Sequence, residues 1–136
     1  MPAGDFEKMT YAFAFGADAV YLGIPRFSLR ARENGFKSTQ DVAHAIDYAH
    51  KIGKKVYVTA NIFPHNHKLP SFVKYIGELL QACKPDAWII SDPGLIMLMI
   101  ENFPQEVVHI SVQSNTINYA AVKFWQKVSA KRIILS

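Results

Sequence analysis

Runs of β-branched and aliphatic residues alternate with stretches whose apolar residues recur at helical spacing, and this alternation constrains the fold more than any other feature. The runs are DAVYLG from Asp18, KKVYVTANI from Lys54, DAWIIS from Asp86, VHISVQS from Val108 and RIILS from Arg132. Helical spacing is carried by Phe6, Met9, Thr10 and Phe13, then by Val42, Ala45, Ile46 and Ala49. It recurs at Phe72, Val73, Ile76, Leu79 and Leu80, over Leu95 to Phe103, and at Ala121, Val122, Trp125 and Val128. The punctuation agrees. Asp5 is placed to cap the first helix and Ser38 or Thr39 the second, while Gly16 and Gly53 stand where a left-handed residue ends a helix. FGADAVYLG and CKPDAWIIS echo one another, as repeated βα units should.

Alternating βα units allow an open doubly wound sheet or a closed (β/α)8 barrel. No G-x-G-x-x-G or G-x-x-x-x-G-K-[ST] occurs, so nothing supports a nucleotide-binding sheet. Polar stripes favour the barrel. Thr59 and Asn61 share one face of their run while Val58 and Ala60 take the other. The stretch VHISVQSNTIN, read as a strand, puts His109, Ser111, Gln113 and Asn115 on one face against Ile110 and Val112. A central strand of an open sheet meets helices on both sides and should be apolar throughout, whereas a barrel strand turns one face inward. The expected fold is α/β, a partial (β/α)8 TIM-type barrel of about five to six βα units.

At 136 residues the chain reads as one domain, residues 1–136, and half of it is hydrophobic. No apolar run approaches the roughly 20 residues of a membrane helix, and no secretory signal opens the chain, so a cytoplasmic location is expected. Cys83 is the single cysteine, which rules out an internal disulfide and a cysteine-only metal site. The formal charge is +4, and Lys123, Lys127, Lys131 and Arg132 cluster as a patch able to meet phosphates. A solvated helix end explains the same residues.

Several residues stand where chemistry is built. Asn61 ends its run with an amide suited to a carboxylate or a base edge, or to a turn cap. Asp92 precedes Pro93 at a helix start, as a cap or as a general base. Gln113 and Asn115 are expected near the barrel mouth, with Ser111 below and His109 deepest. Ser111 and His109 do not make a convincing hydrolytic pair, since no nucleophile-elbow motif surrounds the serine. Arg30 and Arg32 suit an anion, or simply a surface loop, and Tyr21 with Gly23 shapes the neighbouring strand end. His65 and His67 lack a third partner for zinc, and no metal is assigned. His44 and His50 read as surface or boundary residues, and Phe124 and Trp125 as core more than as a base-stacking platform.

The series PAGD, GADAVYLG with FSLRAR, GKKVYVTANIFPHN, SDPGLIML, HISVQSNTIN and VKFW runs in order from Pro2 to Ser136. It resembles the collagenase-like peptidase family, and within it the branch concerned with prephenate-dependent hydroxylation of a tRNA uridine. The resemblance implies a TIM-type barrel with its first strand clipped and its last strands absent, so that the chain is expected to be the N-terminal portion of a longer protein. It implies prephenate as co-substrate, tRNA as partner, and an iron–sulfur cluster in the part not represented here. Arg30, Asn61, Asp92 and Gln113 would then help form the barrel-mouth site, with Tyr21, Ser111 and Asn115 beside them. Two other readings remain: a peptidase, as the family name states, and a noncatalytic half-barrel that pairs its open edges with another copy.

Overall fold

A computed structural model describes residues 1–29, 31 and 33–135. Asp5 accepts a hydrogen bond from the Lys8 N–H (2.8 Å) and opens α1, Phe6–Ala14, after which Gly16 takes φ +88°. That conformation burdens any residue with a Cβ. Strand β1, Ala19–Gly23, follows. Helix α2, Thr39–Lys51, opens on a capping box in which Ser38 Oγ accepts from the Asp41 N–H and the Asp41 carboxylate accepts from the Ser38 N–H. Gly53, at φ +70°, turns the chain into β2, Lys55–Ala60. Helix α3, Leu69–Ala82, precedes β3, Ala87–Ile90, and α4, Pro93–Asn102, precedes β4, Val108–Ile110. Helix α5, Tyr119–Lys127, is capped by Asn118 and leads to the two-residue β5, Arg132–Ile133.

The strands form one parallel sheet in the order β1-β2-β3-β4-β5. Sequence order is spatial order, so no reversal of the doubly wound kind occurs among the described strands. Met1 to Ala3 extends the series before β1, with the Ala3 N–H donating to Tyr21 O (2.9 Å) and the Tyr21 N–H to Met1 O (3.0 Å).

Register sorts the side chains into two faces. Leu22, Val58, Trp88 and Val108 lie in one row, and Ala60, Ile90 and Ile110 in the next, all buried in the cluster that includes Met9, Ile46, Ile76 and Ile96 from the helices. The opposite face carries the row Gly23, Thr59, Ile89, His109 and Arg132. The expected split of Val58 and Ala60 from Thr59 and Asn61 is thus observed.

The expected strand over Val108 to Asn118 is not. Strand β4 stops at Ile110, a 3-10 turn occupies Val112–Ser114, and Asn115 is left-handed at φ 52°. Ser111 is the cause: its Oγ accepts from the Gln113 N–H, a local bond that competes with the ladder. The four polar residues therefore do not form one strand face.

At the opposite end of the sheet Asp86 ties two units together. Its carboxylate accepts from the Val56 N–H (2.8 Å) and faces His50 Nε2 at 3.0 Å. Asp86→Ala leaves the Val56 N–H without its acceptor, and a loss of about 1–3 kcal/mol is expected. Urea unfolding measures it, and an unchanged midpoint contradicts the role.

Candidate functional site

A cavity of about 540 Å³ opens at the carboxyl ends of the strands, on the face turned away from the helices. Every strand or its continuation contributes: Tyr21 and Gly23, Thr59 and Asn61, Ile89, Ser111 with Gln113, and Ile134. Pro2, Ala3 and Gly4 close one side, and Ser28, Leu29, Glu33 and Asn34 come from the segment between β1 and α2.

That segment is held down by packing and by one missing Cβ. Phe27 is buried and meets Phe72 edge-on at 5.2 Å between ring centroids. A Cβ on Gly23 would stand 2.5 Å from Ser28 Oγ and 3.3 Å from Asn34 Nδ2, so glycine is what lets the loop reach the strand end. Asn34 is buried; its Oδ1 accepts from the Phe36 N–H (3.1 Å) and its Nδ2 donates to Gly23 O.

Asn61, Ser91, Ser111 and Gln113 form a connected polar cluster beside the cavity. The Leu29 N–H donates to Asn61 Oδ1 (3.1 Å), and Asn61 Nδ2 donates to Gln113 Oε1 (2.9 Å). Ser91 Oγ, fully buried, donates to the same oxygen at 2.9 Å, and Ser111 Oγ approaches it at 3.4 Å. Ser114 Oγ in turn donates to Ser91 O at 2.7 Å, which pins the turn that carries Gln113.

One row deeper, buried His109 meets Tyr57 edge-on at 5.2 Å, and the Arg132 guanidinium lies 5.7 Å from the same ring. Burial, reinforced by the Arg132 charge, pushes the His109 imidazolium down to about 4, so the ring is neutral at pH 7. No hydrogen bond joins it to Ser111 among the described residues.

The expected residues are therefore distributed unevenly. Tyr21, Asn61, Ser111 and Gln113 line one cavity, with His109 in the row beneath. Asn115 is exposed on the turn and does not line it. Asp92 caps α4, accepting from the Leu95 N–H at 2.8 Å, and is not among the lining residues. Arg30 and Arg32 lie outside the described residues. Trp125 is buried and donates to Thr116 Oγ1, but Phe124, expected in the core, is exposed. Lys123 lies over the Tyr119 ring at 5.2 Å, while Arg132 turns to the sheet, so the basic cluster divides. His65 and His67 stack at 6.2 Å, and no group of three metal-ligating side chains occurs among the described residues. Sequence reasoning missed Glu33, Asn34 and Ser91. For Ser91 a signal existed, since it ends its run as Asn61 ends the preceding one.

The description "Peptidase family U32" belongs to a family model that matches residues 4–136. A Haemophilus influenzae protein named tRNA hydroxylation protein P is 54% identical over 135 residues, which is 99% of this chain and 29% of that protein. Its Escherichia coli namesake is 52% identical over the same shares. An Escherichia coli protein named 23S rRNA 5-hydroxycytidine C2501 synthase is 35% identical over 99% of this chain and 20% of its own length. The chain thus spans under a third of the length of these relatives.

Two outcomes follow from the geometry. Gly23→Ala forces Ser28 and Asn34 off the strand end, with an expected cost of about 1–3 kcal/mol and faster proteolysis between β1 and α2; unchanged stability and cleavage would contradict the close approach. For His109 the folded value lies below the unfolded one, so its contribution is complete above about 6.5 and is lost as pH falls toward about 4. Stability measured across that window should decline, and His109→Gln should remove that part of the slope.

Proposed function

The chain belongs to peptidase family U32, and on that premise we propose that it supplies part of the catalytic site of an enzyme that hydroxylates a uridine in tRNA. The observation that carries this reading is the match of 99% of this chain to part of two proteins named for tRNA hydroxylation, at 54% and 52% identity. Charge supports it. All 11 acidic residues lie at or before Glu106, while four of the 15 basic residues follow it, so the formal +4 belongs to the last segment. Exposed Tyr119 and Phe124 stand beside Lys123 there, a composition suited to a polyanion with stacked bases.

The sheet is proposed to be the arc of a (β/α)8-type barrel. Laid flat, six parallel segments would span about 24 Å, yet Pro2 at one edge and Ile134 at the other line the same cavity. Such curvature, with sequential parallel strands, is what barrel closure requires. The strand ends then form the mouth at which barrels bind substrates.

In this reading Asn61 and Gln113 orient substrate, Tyr21 borders it, and neutral His109 lies in the row beneath. Prephenate as co-substrate is part of the same proposal, and Arg30 is kept as a candidate for its carboxylates. An iron–sulfur cluster finds no fit in this chain. It takes several thiolates, whereas Cys83 is the single cysteine and burial, with a smaller push from Glu106, raises its thiol to about 11. No step here is routed through one. The peptidase reading rests on the family name; Ser111 is engaged with Gln113 and has no base hydrogen-bonded to it among the described residues.

Mass spectrometry of tRNA nucleosides from cells lacking the gene tests the proposal. Hydroxyuridine should disappear and return with the intact gene; an undiminished level eliminates the reading.

A further inference from the structure

Three amide side chains meet the cavity, and the orientation of each follows from a neighbour that can act in one way only. A backbone N–H donates and never accepts. The Leu29 N–H therefore fixes the oxygen of Asn61 toward itself, and the Phe36 N–H does the same for Asn34. With its oxygen committed, Asn61 turns its Nδ2 to Gln113, and this requires Gln113 to answer with its oxygen. Ser91 and Ser111 converge on that atom as well. A carbonyl oxygen has two lone pairs, so a third donor leaves it no capacity for a ligand.

The consequence is a polarised wall. The acceptor ends of Asn34, Asn61 and Gln113 are all engaged by protein, and the Gln113 Nε2 group has no protein partner among the described residues while its side chain lines the cavity. We propose that Gln113 is the donor that reads a trigonal oxygen of the substrate, a carbonyl or carboxylate, and that Asn61 is the positioning residue that keeps its amide from turning over, while Ser91 and Ser111 add donors to the oxygen so placed. This rests on the preceding reading, which supplies both candidate occupants.

Two sources supply such an oxygen, the base of a uridine and the carboxylates of a small keto acid. A uracil offers O4 where a cytosine offers an amino group, and a fixed N–H donor accepts the first and rejects the second. Gln113→Glu separates the cases, because a carboxylate still accepts from Asn61, Ser91 and Ser111 but has no donor to give. Asn61→Asp is the second variant. It keeps the bond from Leu29, removes the donor that orients Gln113, and so invites the amide to flip.

The measurement is calorimetric binding of uridine 5′-monophosphate, cytidine 5′-monophosphate and prephenate to the protein at its natural length, with melting curves as a control on folding. If the base is read, the wild type prefers the uridine nucleotide and Gln113→Glu loses about tenfold for it and inverts the preference. If the acid is read, prephenate binding falls about tenfold or more in Gln113→Glu and nucleotide binding is unchanged. Asn61→Asp should move the same ligand in the same direction. A wild type that binds none of the three probes, or folded variants that bind them all within about twofold of wild type, overturns the proposal. A protein that forms no hydroxyuridine yet binds a probe through Gln113 removes the functional reading and leaves this one in place.

Discussion

Parallel register is the constraint on which the rest of the structure depends. Because side chains alternate across a strand, a slip of one residue in β2 would send Val58 and Ala60 into the cavity and Thr59 with Asn61 among the helices. The buried rows prevent it. Leu22, Val58, Trp88 and Val108 stand abreast against the helical layer, and a one-residue slip in any strand would turn its member of that row away from it. The polar cluster is thus positioned by apolar packing on the other face of the same strands. The site is the remainder left when the core has chosen its side.

Beneath the cluster the row of His109 and Arg132, with Tyr57 one row below, shows how that inner face stays compact without becoming charged throughout. A neutral imidazole packs its edge against the phenol ring, and the guanidinium lies over the same ring at the sheet's last strand, where it remains exposed. Burying a second positive charge beside Arg132 would cost more than the ring contact returns, which is why the histidine holds no proton near neutrality. The row beneath the cavity is accordingly occupied by a neutral imidazole between Ile89 and Arg132.

Much of the scaffold is legible in the sequence because its signals are local. Asp5, Ser38 and Asp92 cap helices, and Gly16 and Gly53 take the left-handed conformations their positions suggest. The site is less legible because its decisive bonds are distant. Nothing local in VHISVQSNTIN reveals that Ser111 will end the strand by bonding Gln113, since Val112 and the polar alternation satisfy the strand pattern equally well. Asp92 reads as an acid from its residue type, yet the same short side chain is ideal for a cap, and the cap is what forms. Glu33 and Asn34 lie in a loop with no periodicity, and only the Cβ-free Gly23, eleven residues before Asn34, brings them to the cavity. Ser91 carries the positional signal of a strand end, yet its role is not legible there because its side-chain and carbonyl bonds go wholly to protein atoms, its Oγ donating to Gln113 and its backbone oxygen accepting from Ser114.

The division of labour between Asn61 and Gln113 follows from the loop that covers them. Leu29 must satisfy its N–H where the segment between β1 and α2 passes over the end of β2, and Asn61 is the acceptor within reach. An asparagine so committed to the backbone contributes to folding, but it gives one of its oxygen's two lone pairs to the loop and its Nδ2 to Gln113, and so has less to offer a ligand. The vacancy is filled one side chain further on. Gln113 takes its orientation from Asn61, and it lies on a 3-10 turn anchored by Ser114 and not on a strand. The unexpected end of β4 at Ile110 thus acquires a purpose. A regular strand would hold residue 113 on the sheet, whereas the turn allows its side chain to reach across β3 to Asn61 and couple a loop backbone to the wall of the cavity.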